Sequence, residues 1–128
     1  MADMNLQASP SPLRVYADTS VFGGTFDADF AAVSQIFFDQ VRAGRFRLVT
    51  SIVVRDELTR APQRVRDLFA ELLPRAEIID LSEAVLRLRQ AYLAAGIVGP
   101  ASAADALHVA LATVAGCDIL HAPQEVMA

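Results

Sequence analysis

Val15-Tyr16-Ala17-Asp18-Thr19-Ser20-Val21-Phe22-Gly23-Gly24 runs from a short apolar segment onto a carboxylate, then through two hydroxyl residues to a glycine pair. An apolar run of this length, bounded by turn-forming residues, reads as a buried strand, here Leu13 to Ala17. In an open parallel α/β sheet, ligands bind in the crevice beyond the carboxyl ends of the strands. Asp18 stands at that end, where a carboxylate is placed to hold a cation or an attacking water. Glu57 and Asp105 fall later in the chain, where the same crevice can receive them.

Before the strand, residues 1–12 close on Ser9-Pro10-Ser11-Pro12 and read as a flexible tail; residues 13–128 read as one domain. After the glycine pair, Asp27 or Asp29 is a cap for a helix to about Ala43, with Phe30, Val33, Ile36, Phe37 and Val41 at helical spacing. Gly44 is its stop. Phe46 to Thr50 is a second strand. Ser51 caps the helix that carries Glu57 about two turns in, with Asp56 pointing elsewhere. Pro62 opens a helix to Leu73, and Glu77 to Leu81 is a third strand. Ser82 and Glu83 open a helix with Val85, Leu88, Tyr92 and Leu93 on one side, and Gly99-Pro100 is a turn. From Ala103 to Ala115 only Asp105, His108 and Thr113 are not apolar, which reads as a buried helix starting at Ser102. Asp118-Ile119-Leu120 begins a fourth strand. The alternation predicts an α/β fold: a three-layer α/β/α sandwich around a central parallel sheet of about four strands.

The chain is 54% apolar, yet no apolar run reaches the roughly 18 residues a membrane-spanning helix needs. The surplus points to a sheet covered on both faces, or to a surface hidden by a partner. A single cysteine, Cys117, excludes an internal disulfide and a cysteine-based zinc site. With no secretory signal at the N-terminus, it places the protein in the cytoplasm. A net charge of −4 argues against broad adhesion to nucleic acid, but not against an acidic site that meets RNA or DNA through metal ions. All eleven basic residues are arginine.

Each acid has a bland reading beside the functional one. Asp18 offers a hard oxygen ligand for Mg2+ or Mn2+, with Thr19 and Ser20 to orient it or to touch a phosphate oxygen of the substrate. Asp-Thr-Ser is equally a turn or helix cap. Glu57, set among Val53, Val54 and Leu58, leans inward, where Arg55 or Arg60 can pair with it. Asp105, early in a buried helix, gains ~0.3–1 kcal/mol from the helix dipole. That is less than deep burial of a charge costs, so a cation is the better partner. His108, one turn on, either touches substrate or is a hydrogen-bonded core histidine. Arg55, Arg60, Arg64 and Arg66 make a solvated helix face or a set of phosphate forks. Gly23-Gly24 has neither the G-x-G-x-x-G spacing nor a Walker lysine, and there is no H-E-x-x-H.

Three pieces, in order, resemble the PIN-domain family, in particular the VapC-like ribonuclease toxins. They are Asp18-Thr19-Ser20-Val21-Phe22-Gly23-Gly24, then Ser51-Ile52-Val53-Val54-Arg55-Asp56-Glu57-Leu58, then Asp105-Ala106-Leu107-His108-Val109-Ala110-Leu111-Ala112. The likeness spans Leu13 to Leu120. It implies Mg2+- or Mn2+-dependent phosphodiester hydrolysis, usually of RNA, with Asp18, Glu57 and Asp105 as the catalytic acids and metal ligands. It further implies an antitoxin protein as partner and a homodimer.

The end of the chain departs from that family. Relatives usually follow the last of these strands with Ser or Thr and then an Asp or Asn. This chain reads His121-Ala122-Pro123-Gln124-Glu125-Val126-Met127-Ala128, so uncharged Gln124 stands at the fourth acidic position. Asp118 or Glu125 is the substitute, and the domain over 13–128 is expected to lack the usual last helix and strand. Two functions follow: a metal-dependent endoribonuclease acting as the toxin of a type II pair, or a catalytically weakened PIN-like module that acts by binding a protein. A phosphorelay receiver would need a late lysine, and a haloacid-dehalogenase-type phosphatase an Asp-x-Asp after the first strand; neither is present.

Overall fold

The computed structural model describes residues 12–96 and 103–120. The expected tail up to residue 11, the Gly99-Pro100 turn and the segment from His121 on, with Gln124 and Glu125, lie outside the described residues.

Among the described residues, four strands make one parallel sheet: β1 (Leu13–Ala17), β2 (Phe46–Ser51), β3 (Glu77–Ile79) and β4 (Asp118–Leu120), in the order β3-β2-β1-β4. β1 pairs with β2 from Leu13↔Phe46 to Tyr16↔Val49, and with β4 from Val15↔Asp118 to Ala17↔Leu120. Parallel neighbours need crossover connections, which helices supply. These helices are α1 (Thr19–Gly24), α2 (Ala31–Arg42), α3 (Ile52–Glu57), α4 (Gln63–Leu72), α5 (Glu83–Ala94) and α6 (Ala103–Ala115). Among the described residues, no helix is long and apolar enough to cross a membrane.

Side chains alternate along a strand, so in this register Tyr16, Val49 and Ser51 share one face, and Val15, Ala17, Leu48 and Thr50 the other. α5 and α6 pack on each other over the first face, where Arg14 donates to the Ala115 carbonyl of α6 at 2.6 Å. The second face carries an aromatic cluster. The Phe22 ring lies 5.0 Å from Phe38 and 5.2 Å from Phe69, and Phe37 lies 5.7 Å from Phe46. The three-layer sandwich expected from the element order is the architecture observed.

Three local departures have physical causes. The stretch after Asp18 is helical: the Asp18 carboxylate accepts the Ser20 amide at 3.0 Å and so caps α1, a helix of six residues. α2 starts only at Ala31, because Asp27 accepts the amide of Asp29 and leaves Phe30 at the cap position without a side-chain bond. The buried stripe of α2 is Ser34, Phe37, Phe38 and Val41, while Val33 and Ile36 are 48% and 61% exposed.

Close approach of α1 to α2 explains that stripe. A Cβ on Gly24 would lie 2.6 Å from Phe30 Cδ2 and 3.2 Å from Ser34 Oγ. Only a glycine leaves room for the Phe30 ring and the small Ser34 side chain at this distance. Gly24→Ala is therefore expected to lower stability by about 1–2 kcal/mol, overpacking outweighing the gain in helix propensity. The check is a lower urea midpoint at unchanged slope.

Candidate active site at the carboxyl edge of the sheet

β1 delivers Asp18 to the edge of the sheet, where its amide donates to the Leu120 carbonyl at the end of β4 at 3.3 Å. Asp18 is 6% exposed. Its Oδ1 accepts both the amide and the hydroxyl of Ser20. Among the described residues no arginine pairs with it. A charge this buried is costly without a compensating cation.

Glu57 reaches the same place from β2. Ser51 ends that strand and its Oγ accepts the Val54 amide at 3.1 Å, starting α3. α3 is only six residues long and Glu57 is its last, with a side chain 35% exposed, so it turns inward only in part. Its Oε1 accepts the Thr19 hydroxyl and lies 3.0 Å from His108 Nε2. Thus the two consecutive hydroxyls each hold one acid: Ser20 holds Asp18, and Thr19 holds Glu57.

The arginines do not neutralise Glu57. Arg60 lines a shallow pocket with Asp56, Glu57 and Thr59, and Arg55 a neighbouring groove with Ile52, Val53 and Leu81. Arg64 lies over the Phe26 ring at 4.9 Å, and Arg66 bonds the Thr59 carbonyl and Gln63.

Two further residues join the cluster: His108, the hydrogen-bonded core histidine that was one of its two sequence readings, and Tyr16, which the sequence did not single out. His108, on α6, is buried, and its Nδ1 lies 2.7 Å from the Tyr16 hydroxyl. That hydroxyl in turn lies 2.8 Å from Ser51 Oγ. Burial pushes the Tyr16 phenol up, so it stays a hydroxyl at neutral pH. A signal for Tyr16 was available: a tyrosine inside a fully buried strand needs a hydrogen-bond partner, and a buried helix carrying one histidine supplies it.

Asp105 and Asp118 are placed differently from expectation. α6 is buried along one face only, with Thr113 and Val114 exposed and Asp105 half-buried, so the penalty of deep burial does not apply to Asp105. It lies one turn before His108 on α6, and among the described residues it carries no hydrogen bond or ion pair. Asp118 is exposed and pairs with Val15, at the start of β4, away from the strand ends where Asp18 sits. Register, not composition, takes it out of the acidic cluster.

The family model described as PIN domain matches residues 15–122, most of the chain. The chain belongs to the PIN-domain family. PIN domains are in general nucleases and typically use divalent metal ions. Among solved structures this PIN domain is similar to the crystal structure of VapBC2 from Rickettsia felis bound to a DNA fragment from their promoter. The TM-score is 0.58 at 17% identity, over 84% of this chain and 86% of that one, a likeness of fold. The comparison with curated proteins gives no match.

The donor chemistry of this PIN domain fits a hard divalent cation. Carboxylate oxygens are its natural ligands, and Asp18 is a buried anion with no arginine partner among the described residues. Among those residues no three His, Cys, Asp or Glu side chains stand together as a ready cage. Mg2+ asks for less, one or two carboxylates with several retained waters.

Proposed function

We propose that the chain is a Mg2+- or Mn2+-dependent endoribonuclease. The observation that carries this reading is that two adjacent hydroxyls at the carboxyl edge each hold one acid, Ser20 holding Asp18 and Thr19 holding Glu57, with Glu57 linked inward to His108. Asp18 and Glu57 would hold the ion, with Asp105 approaching from α6. When bound, the ion supplies a water of lowered pKa and positive charge for the phosphoryl oxygens. Ser20 and Thr19 keep the two carboxylates from swinging, and Arg60, beside Glu57, offers a guanidinium to a substrate phosphate. The family supports a toxin role in the cytoplasm, with an antitoxin protein as partner and a second copy of the chain as dimer mate.

Purified chain, stripped with EDTA, should cut no RNA, and Mn2+ or Mg2+ should restore cutting. Water attack leaves no 2′,3′-cyclic phosphate, whereas attack by the ribose 2′-hydroxyl does. Products ending in cyclic phosphate, or cleavage that survives EDTA, would refute the reading. A second reading, a PIN-like module acting through a protein partner, is favoured by the lack of a ready three-ligand cage among the described residues. Its outcome is RNA left intact with every ion while a partner binds tightly.

A further inference from the structure

The bonds around His108 admit one arrangement in which every proton finds an acceptor. Ser51 Oγ already accepts the Val54 amide, so its own proton goes to the Tyr16 oxygen. The Tyr16 hydroxyl then donates to Nδ1, which leaves Nδ1 without a proton, and Nε2–H donates to Glu57 Oε1. Reversing the direction protonates Nδ1 and turns a bare Nε2 lone pair onto a carboxylate oxygen. It also leaves the Ser51 proton without an acceptor among the described residues. The chain of donors therefore points outward, from the end of β2 to the acid.

An exposed glutamate needs no such anchor, since a solvent-exposed ion pair contributes little. Here a fully buried tyrosine and a buried histidine are wired to one oxygen of a side chain that is otherwise open to solvent. We propose that His108, oriented by Tyr16 and Ser51, is a positioning residue. With Thr19 it draws Oε1 of Glu57 inward and so presents Oε2, which has no donor among the described residues, to the crevice as the ligand oxygen. This rests on the nuclease reading for the identity of what Oε2 meets. Partners of this kind orient metal-binding side chains.

Nitrogen-15 NMR of the metal-free full chain should show His108 as the Nε2–H tautomer, and Tyr16→Phe should disturb it. Mn2+ uptake, followed by the spin-resonance signal of the free ion, should weaken about tenfold or more in His108→Phe. It should weaken less in Tyr16→Phe, which keeps the ring and so guards against misfolding, and recover in part in His108→Gln, whose amide still donates. An Nδ1–H tautomer in the metal-free chain overturns the proposal. So does unchanged Mn2+ affinity in folded Tyr16→Phe and His108→Phe. A parent chain that takes up no Mn2+ sinks the nuclease reading instead, and the tautomer then decides this proposal alone.

Discussion

Asp18→Asn is expected to remove metal-dependent RNA cleavage, a loss of about 10²–10³-fold or more, while leaving the fold intact. Asparagine keeps an oxygen for the Ser20 amide and hydroxyl and is as good a helix cap as aspartate, so α1 still starts where it does. What goes is the charge. Asp18 is buried with no arginine partner among the described residues, so neutralising it relieves a desolvation cost, and the metal-free variant should be at least as stable as the parent. Mn2+ should raise the parent's melting temperature, by linkage worth about 2.7 kcal/mol at a hundred times the dissociation constant. The variant should lose that rise. Asp105→Asn should act in the same direction by a smaller factor, because Asp105 is half-buried and outside the hydrogen-bonded cluster. An Asp18→Asn protein that cuts RNA and takes up Mn2+ like its parent removes Asp18 from the site.

Phe22→Ala carries the largest expected loss of stability. The ring is fully buried between Phe38 of α2 and Phe69 of α4. Truncation removes its apolar contacts and opens a void that three separately tethered elements cannot all close, which costs about 3–5 kcal/mol. A domain of this size holds roughly 5–15 kcal/mol in total, so the variant sits near the threshold of folding. The melting temperature should fall by roughly 10–30 °C. Because Phe22 lies one turn after Asp18 on α1, the same void loosens the helix that fixes both hydroxyls. A loss below about 1 kcal/mol in urea unfolding would show that the cluster repacks and that Phe22 is not its centre.

The fold was legible because each strand is a short apolar run closed by a polar or turn residue, and because Gly44 and Gly116 stop helices where their positive φ is needed. The helices were read less well where packing overrode pattern. Val33 and Ile36 have helical spacing, but the approach of Gly24 to Ser34 turns α2 so that they face out. The places of Asp18 and Glu57 followed from their positions after β1 and β2. Asp118 looked equivalent as an acid near a strand, but it begins β4, and in a parallel sheet, where it pairs with Val15, that puts it at the other end. Tyr16 was passed over because a tyrosine in an apolar run reads as core, and the one signal for its hydroxyl, a histidine on a buried helix, lies many residues away.

β1 finds its neighbour β2 after a single crossover, but must wait for nearly all of the described chain before β4 can join it. Pairings this distant form late, since the loop they close is long. At a synthesis rate of about 5–20 residues per second, α6 and β4 leave the ribosome seconds after α3. Throughout that interval Glu57 hangs from the growing polypeptide with no imidazole behind it, and the array around it closes only once α6 has settled.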